Sequence, residues 1–156
     1  TGFPPHPHAE MEIITYVREG AISHADNLGN SGRTEAGDVQ VMSAGTGIRH
    51  SEYNLEDEET TLFQIWIMPR SKGIEPRWDT AEFPQEPATD RLPLLVSGDD
   101  NALLTLHQDA RIFAVSPRFF AARARLSRRS SPTTRRQACT RPTEGYVEAN
   151  IARPAR

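Results

Sequence analysis

The run Ala44-Gly45-Thr46-Gly47-Ile48-Arg49-His50-Ser51-Glu52, read together with His6-Pro7-His8, decides the fold. Each stretch carries two potential metal ligands at positions i and i+2. In an extended strand, residues two apart point to the same face. His6 and His8 therefore share a face of one strand, and His50 and Glu52 share a face of another. If the two strands face each other, four side chains converge on one point. Three imidazoles and a carboxylate suit a divalent transition metal such as iron and are too rich in nitrogen for magnesium or calcium. Four protein ligands leave positions open on a metal that prefers five or six, as catalysis requires. A lone His-x-His pair is more often two surface histidines. A second pair at the same spacing, after a glycine-rich turn, moves the balance toward a metal site. Three of the chain's 5 histidines lie in these pairs.

Working outward, Met11 to Arg18 is rich in β-branched and aromatic residues and reads as a strand. Glu19-Gly20 is a turn, and Ala21 to Asp26, carrying His24, is the return strand. Asn27-Leu28-Gly29-Asn30-Ser31-Gly32 has loop composition. Ala36-Gly37-Asp38 is a tight turn, Val39 to Ser43 a strand, and His50 to Tyr53 the start of the second ligand strand. Gly45 and Gly47 suggest positive φ or a close backbone approach. The acidic run Glu56-Asp57-Glu58-Glu59 reads as a solvated loop. Thr61 to Met68 is the most apolar stretch, of a length that suits a buried strand. Residues 70–91 are loop-rich, with Pro76, Pro84 and Pro87. Leu92 to Ser97 and Leu103 to His107 read as two more strands, and Ile112 to Ala114 begins another.

A chain of 156 residues allows one domain of ordinary size. Its 12 prolines and 10 glycines favour turns over long helices. No apolar run approaches the roughly 20 residues needed to span a bilayer, and no basic-then-apolar signal segment opens the chain. One cysteine, Cys139, excludes an intrachain disulfide, and a cytoplasmic location is the default expectation. The net charge of −3 hides two unlike parts. Residues 1–114 hold 8 Lys+Arg against 19 Asp+Glu, whereas residues 115–156 hold 10 Arg, no Lys and 2 Glu. In the second part apolar periodicity disappears. A basic nucleic-acid arm would mix Lys with Arg, so nucleic acid is not the expected partner. A disordered extension and a frameshifted reading of a GC-rich gene remain, and the Arg/Ala/Pro/Ser/Thr composition favours the frameshift.

Several separated motifs agree in order and spacing with one family. Gly2-Phe3-Pro4-Pro5-His6-Pro7-His8, Glu12, Thr15-Tyr16-Val17, Glu19-Gly20, Asn27 to Ser31, Gly37-Asp38-Val39-Gln40 and Ala44 to Glu52 resemble the N-terminal cupin domain of the pirin family. His50-Ser51-Glu52-Tyr53-Asn54 resembles the bacterial quercetinase-like pirins in particular. The resemblance covers about residues 1–114. It implies an all-β, cupin-type double-stranded β-helix, a jelly-roll-like antiparallel sandwich. The sandwich is expected to be incomplete: a pirin has strands ahead of the first motif and a second cupin domain, and this chain opens on Thr1 at the motif itself. A fragment, or a gene read short, is the expectation. The unpaired sheet edges then predict self-association.

The resemblance also implies a ligand set of His6, His8, His50 and Glu52 around one divalent metal. Fe(II) is the first expectation, with Mn, Ni, Cu or Zn as alternatives. Glu52 is the candidate catalytic base, because a carboxylate that loosens from the metal can take the hydroxyl proton of a flavonol. Glu12 shares the parity of His6 and His8 and is the candidate outer partner of the ligands, with Glu10 behind it. Met42 and Phe3 are candidates for an apolar pocket, Met42 being better suited to core packing. His24 and His107 lack a partner at ligand spacing and receive no role. Trp66 and Trp78 read as packing residues. The expected activity is quercetin 2,3-dioxygenase-like cleavage of a flavonol by O2. The alternatives are an iron-binding, pirin-like transcriptional co-regulator or an inactive truncated product.

Overall fold

The computed structural model describes residues 1–83, 92–99 and 101–114, and the backbone of residues 147–151. Its regular elements are all strands: β1 (Gly2–His8), β2 (Glu12–Glu19), β3 (Ala21–Asp26), β4 (Ser31–Glu35), β5 (Val39–Ser43), β6 (Ile48–Tyr53), β7 (Thr61–Ile67), β8 (Arg77–Ala81), β9 (Leu94–Ser97), β10 (Leu104–Thr105), β11 (Arg111–Phe113) and β12 (Val147–Ile151). They form three sheets, ordered β1-β6-β3-β4, β12-β7-β2-β5-β8 and β10-β9-β11. Every pairing is antiparallel except β10 with β9. The all-β, antiparallel cupin expectation holds. No helix among the described residues is long and apolar enough to cross a membrane.

The five-stranded sheet is the middle layer, which explains the unbroken burial along β2 and β5. Alternate residues of its strands serve different cores, as the period of two demands. Ile14, Tyr16, Val39, Val41, Ile65 and Ile67 pack against Leu95, Val96, Leu104 and Ile112 of the three-stranded layer. Their neighbours Ile13, Met42 and Trp66 turn the other way and join Ala44, Ile48 and Trp78 in a second cluster. That cluster floors the space between the five-stranded and four-stranded sheets. Burying a large aliphatic side chain contributes roughly 1.5–3 kcal/mol, so the double-sided middle layer is the main source of stability.

Gly45 requires glycine on two counts. Its φ is +47°, and a Cβ there would lie 2.2 Å from the Ile74 carbonyl oxygen. No other residue lets the chain pass so close to Ile74 while turning into the ligand strand β6.

Two strands depart from the sequence reading. β4 falls where a loop and unassigned residues were expected, and β8 lies inside the loop-rich segment 70–91. Both are edge strands of mixed polarity. The Arg-rich segment 115–156 lies outside the described residues except for Val147–Ile151, which pair antiparallel with β7. Those five residues depart from the expectation of an unstructured tail.

Candidate metal centre

The ligand strands are neighbours in one sheet. β1 pairs with β6 so that His6 stands opposite His50, and β6 pairs with β3 so that Glu52 stands opposite His24. All these side chains project toward the middle sheet. One nitrogen from each of His6, His8 and His50 lies within 4.8 Å of the others. Glu52 joins a second group of the same reach, with His24 and His50. The two groups share His50. His6 and His8 are partly exposed, while His24, His50 and Glu52 are buried. The site is therefore reached from the β1 side and closes inward.

The protons of this cluster can be followed from partner to partner. His6 Nδ1 lies 2.8 Å from the Pro4 carbonyl oxygen, which only accepts, so the ring proton sits on Nδ1 and Nε2 offers a lone pair. His24 Nε2 lies 3.1 Å from Asp26 Oδ2, another pure acceptor when ionised, so His24 Nδ1 offers a lone pair. Burial pushes the Asp26 carboxyl up, but hydrogen bonds from Asn30, His24 and Leu28 outweigh it and hold the pKa below the usual range. His50 lies between these lone pairs, with Nε2 3.1 Å from His6 Nε2 and Nδ1 3.4 Å from His24 Nδ1. A neutral imidazole carries one proton and cannot serve both contacts. Burial and the neighbouring histidines push His50 down to about 3, so a second proton is no remedy near neutrality. Burial, followed by His6, also lowers His8. A cation held by His6, His8 and His50 would complete the network, and the donor set fits a divalent transition metal.

Glu52 is held by two amides. Gln40 Nε2 donates to its Oε1 at 2.5 Å and Gln64 Nε2 to its Oε2 at 2.8 Å. The orientation of each amide is set by an indole, which can only donate. Trp66 Nε1 donates to Gln64 Oε1 at 2.9 Å, and Trp78 Nε1 to Gln40 Oε1 at 3.2 Å. Burial raises the Glu52 pKa, and the Gln64 amide is foremost among the groups opposing it.

A sequence profile described as Pirin matches residues 1–67. A Pseudomonas aeruginosa protein, named provisionally as a quercetin 2,3-dioxygenase, is 53% identical over 155 residues, covering 98% of this chain and 65% of that protein. The Escherichia coli K12 protein named quercetin 2,3-dioxygenase is 47% identical over 114 residues, covering 72% of this chain and 48% of that protein. The crystal structure of the bacterial pirin YhhW from Escherichia coli in complex with nickel(II) superposes with a TM-score of 0.63 at 47% identity, covering 72% of this chain and 48% of that one. The chain belongs to the pirin family. It spans between about half and two thirds of the length of these relatives.

In this pirin domain Glu12 does not serve the ligands. It lies on the opposite face of β2 from Ile13, and its Oε2 accepts from Ser43 Oγ at 2.9 Å and from the His107 backbone N–H at 3.1 Å. Its other oxygen, Oε1, is buried without a hydrogen-bond partner. The parity carried from His8 fails because the chain turns between β1 and β2. Glu10 sits there at φ 52°, and its carboxylate accepts from the Gly73 backbone N–H. Met42 packs in the core beneath the site, as expected. Phe3 is 56% exposed, with its ring edge-on to His6 at 6.1 Å.

His24 is the residue that motif reasoning missed. It stacks on Trp78, ring centroids 4.7 Å apart and nearly parallel, and touches His50. Trp66 meets His8 edge-on at 5.2 Å. The two tryptophans thus pack as expected and also hold the glutamine amides beneath Glu52. The alternation Ile22, His24, Asp26 on the return strand was the available signal for His24. His107 donates its backbone N–H to Glu12 and accepts from the Arg70 N–H at its carbonyl oxygen.

Proposed function

We propose that this pirin domain holds one divalent transition metal on His6, His8 and His50, with Glu52 as the fourth ligand, and that the centre serves dioxygen-dependent cleavage of a flavonol-like aromatic. One observation carries the metal: His6 Nε2 and His50 Nε2 converge at 3.1 Å in a cluster one proton short. The names of the relatives support the reaction class. The nickel(II) complex of the Escherichia coli pirin supports a divalent metal for that protein. Fe(II) is the first candidate here, with Mn, Ni, Cu and Zn as the others.

When bound, any of these metals would supply a Lewis-acidic centre with open positions, and Fe, Mn, Ni or Cu, unlike Zn, would also supply redox capability. The chain's own residues do the rest. Partial exposure of His6 and His8 leaves a way in, and Phe3 offers an apolar face beside it. Glu52 serves as the base. Burial raises its pKa, which makes the carboxylate a better proton acceptor for a phenolic hydroxyl. The Gln40 and Gln64 amides keep it aimed while the proton moves.

Elemental analysis after anaerobic purification, of wild type and of His50→Ala, tests the reading. Close to one first-row metal per chain, lost in the variant, together with metal-dependent consumption of quercetin and O2, is the expected result. A folded wild type without metal overturns it. Metal without quercetin turnover overturns the dioxygenase part and leaves a metal-loaded binding module.

A further inference from the structure

We infer that Asp26 and His24 are positioning residues for the metal centre: they supply the acceptor that keeps the His50 ring proton on Nδ1 and its Nε2 free for the metal. The inference rests on the proposed metal site and extends it to two residues beyond the ligand set. The chain of contacts runs Asp26 Oδ2, His24 Nε2, His24 Nδ1, His50 Nδ1. With a metal on His50 Nε2, the one remaining proton of that ring must sit on Nδ1. His24 Nδ1, 3.4 Å away, is the acceptor for it only while Asp26 holds the His24 proton on Nε2. Both side chains of the Asp26–His24 pair are fully buried, so water does not take over the task. Stacking on Trp78 fixes the plane of the His24 ring. A ligand histidine whose second ring nitrogen is fixed by an outer partner binds metal more tightly, and loss of such partners typically costs 10–100-fold in affinity.

Asp26→Asn is a sharp perturbation because the turn fixes which way the amide faces. Asp26 Oδ1 accepts from two backbone N–H groups, Leu28 at 2.9 Å and Asn30 at 3.0 Å. The two backbone donors cannot change role, so the asparagine carbonyl oxygen stays with them and its NH2 takes the position of Oδ2, facing His24 Nε2 and the Asn30 side-chain amide, which donates to Oδ2 at 2.9 Å and can turn its own oxygen there. His24 then carries its proton on Nδ1, facing His50 Nδ1. Metal on His50 Nε2 would set two N–H groups against each other.

The test is a double-mutant cycle on the full chain, with Ni2+ affinity read by calorimetry for wild type, Asp26→Asn, His24→Ala and the double variant. Backbone NMR spectra confirm that each variant folds. Asp26→Asn is expected to weaken Ni2+ binding roughly 10–100-fold. In the His24→Ala background the same change should have little further effect, since it acts through the His24 ring. The Zn2+-loaded wild type should show His50 protonated on Nδ1 in ring-nitrogen NMR. An Asp26→Asn penalty that persists undiminished without His24, or Ni2+ affinity unmoved by Asp26→Asn, overturns the inference while leaving the metal site in place. A folded wild type that takes up no Ni2+ overturns both.

Discussion

Replacing Gln40 by Leu removes one of the two amides beneath Glu52 while nearly conserving volume. Gln40 is buried, and three hydrogen bonds meet on its side chain. Its Nε2 donates to the Glu52 carboxylate at 2.5 Å. Loss of a hydrogen bond to a charged group costs about 1.5–3 kcal/mol. Its Oε1 accepts from Trp78 Nε1 and from Thr34 Oγ1, both at 3.2 Å. Thr34 keeps Thr80 Oγ1 as a partner at 3.4 Å, so only the indole is stranded. Trp78 is partly exposed, so that stranding sits at the low end of the range, about 1 kcal/mol. Leu gains roughly as much from its buried apolar surface. The net loss is therefore about 1.5–3 kcal/mol.

Urea denaturation of the metal-free chain at pH 7, with m unchanged, measures this directly. A loss below about 0.5 kcal/mol, within the range of ordinary surface substitutions, would refute the reasoning. It would mean that Glu52 does not depend on the amide and is held protonated in the fold, so that it is no base at neutral pH.

Glu12→Gln should leave metal content and Ni2+ affinity unchanged and cost about 1–2 kcal/mol of stability, because the new NH2 falls at the unpartnered Oε1 position; elemental analysis with denaturation checks it, and loss of metal would return Glu12 to the site. Acidification should weaken the metal-free fold through His50. Its pKa falls from 6.5 in the unfolded chain to about 3 in the fold, so the unfolded state binds more protons across that window and the contribution, complete above 6.5, is lost as pH falls. Glu52, whose pKa is raised, acts in the opposite sense: its contribution is complete below the unfolded value of 4.5 and is lost as pH rises through the higher folded value. From pH 6.5 to 5 the His50 part amounts to about 1–2 kcal/mol once solvent screening is allowed for; stability measured against pH should differ by that slope between wild type and His50→Gln.

The strands that carry strong local signals were legible. β3 and β5 have the bounds expected of them, and β2, with its β-branched run, lies close to its own, as do β6 and β7. β4 and β8 were not, because Ser31–Glu35 and Arg77–Ala81 are short, mixed-polarity edges with little apolar alternation. Spacing anticipated that His6, His8 and His50 gather, and that Glu52 lies beside His50, because each pair lies within a single strand. It could not find His24, a single histidine on β3, whose place is set by cross-strand register opposite Glu52. Nor could it find Gln40 and Gln64, whose amides match no motif and matter only once two sheets close over a carboxylate. Glu12 failed for the converse reason. Parity holds only within an unbroken strand, and Glu10 at φ 52° breaks it.

The strand that carries two of the histidines is also one whose backbone ladder is thinned by proline. β1 is an edge strand among the described residues, with β6 as its one partner. Pro4, Pro5 and Pro7 lack the N–H groups that a ladder uses, and the register to β6 slips between Phe3 and His6, where two of those prolines stand. Proline suits an edge because it discourages further pairing, and the cost is fewer hydrogen bonds holding β1 in place. A metal shared by His6, His8 and His50 would tie β1 to β6 through side chains at the point where the backbone ties it least. Metal binding and the docking of β1 then belong to the same free energy. On this reading the His6-Pro7-His8 motif, by binding the proposed metal, would also complete the sheet that houses it.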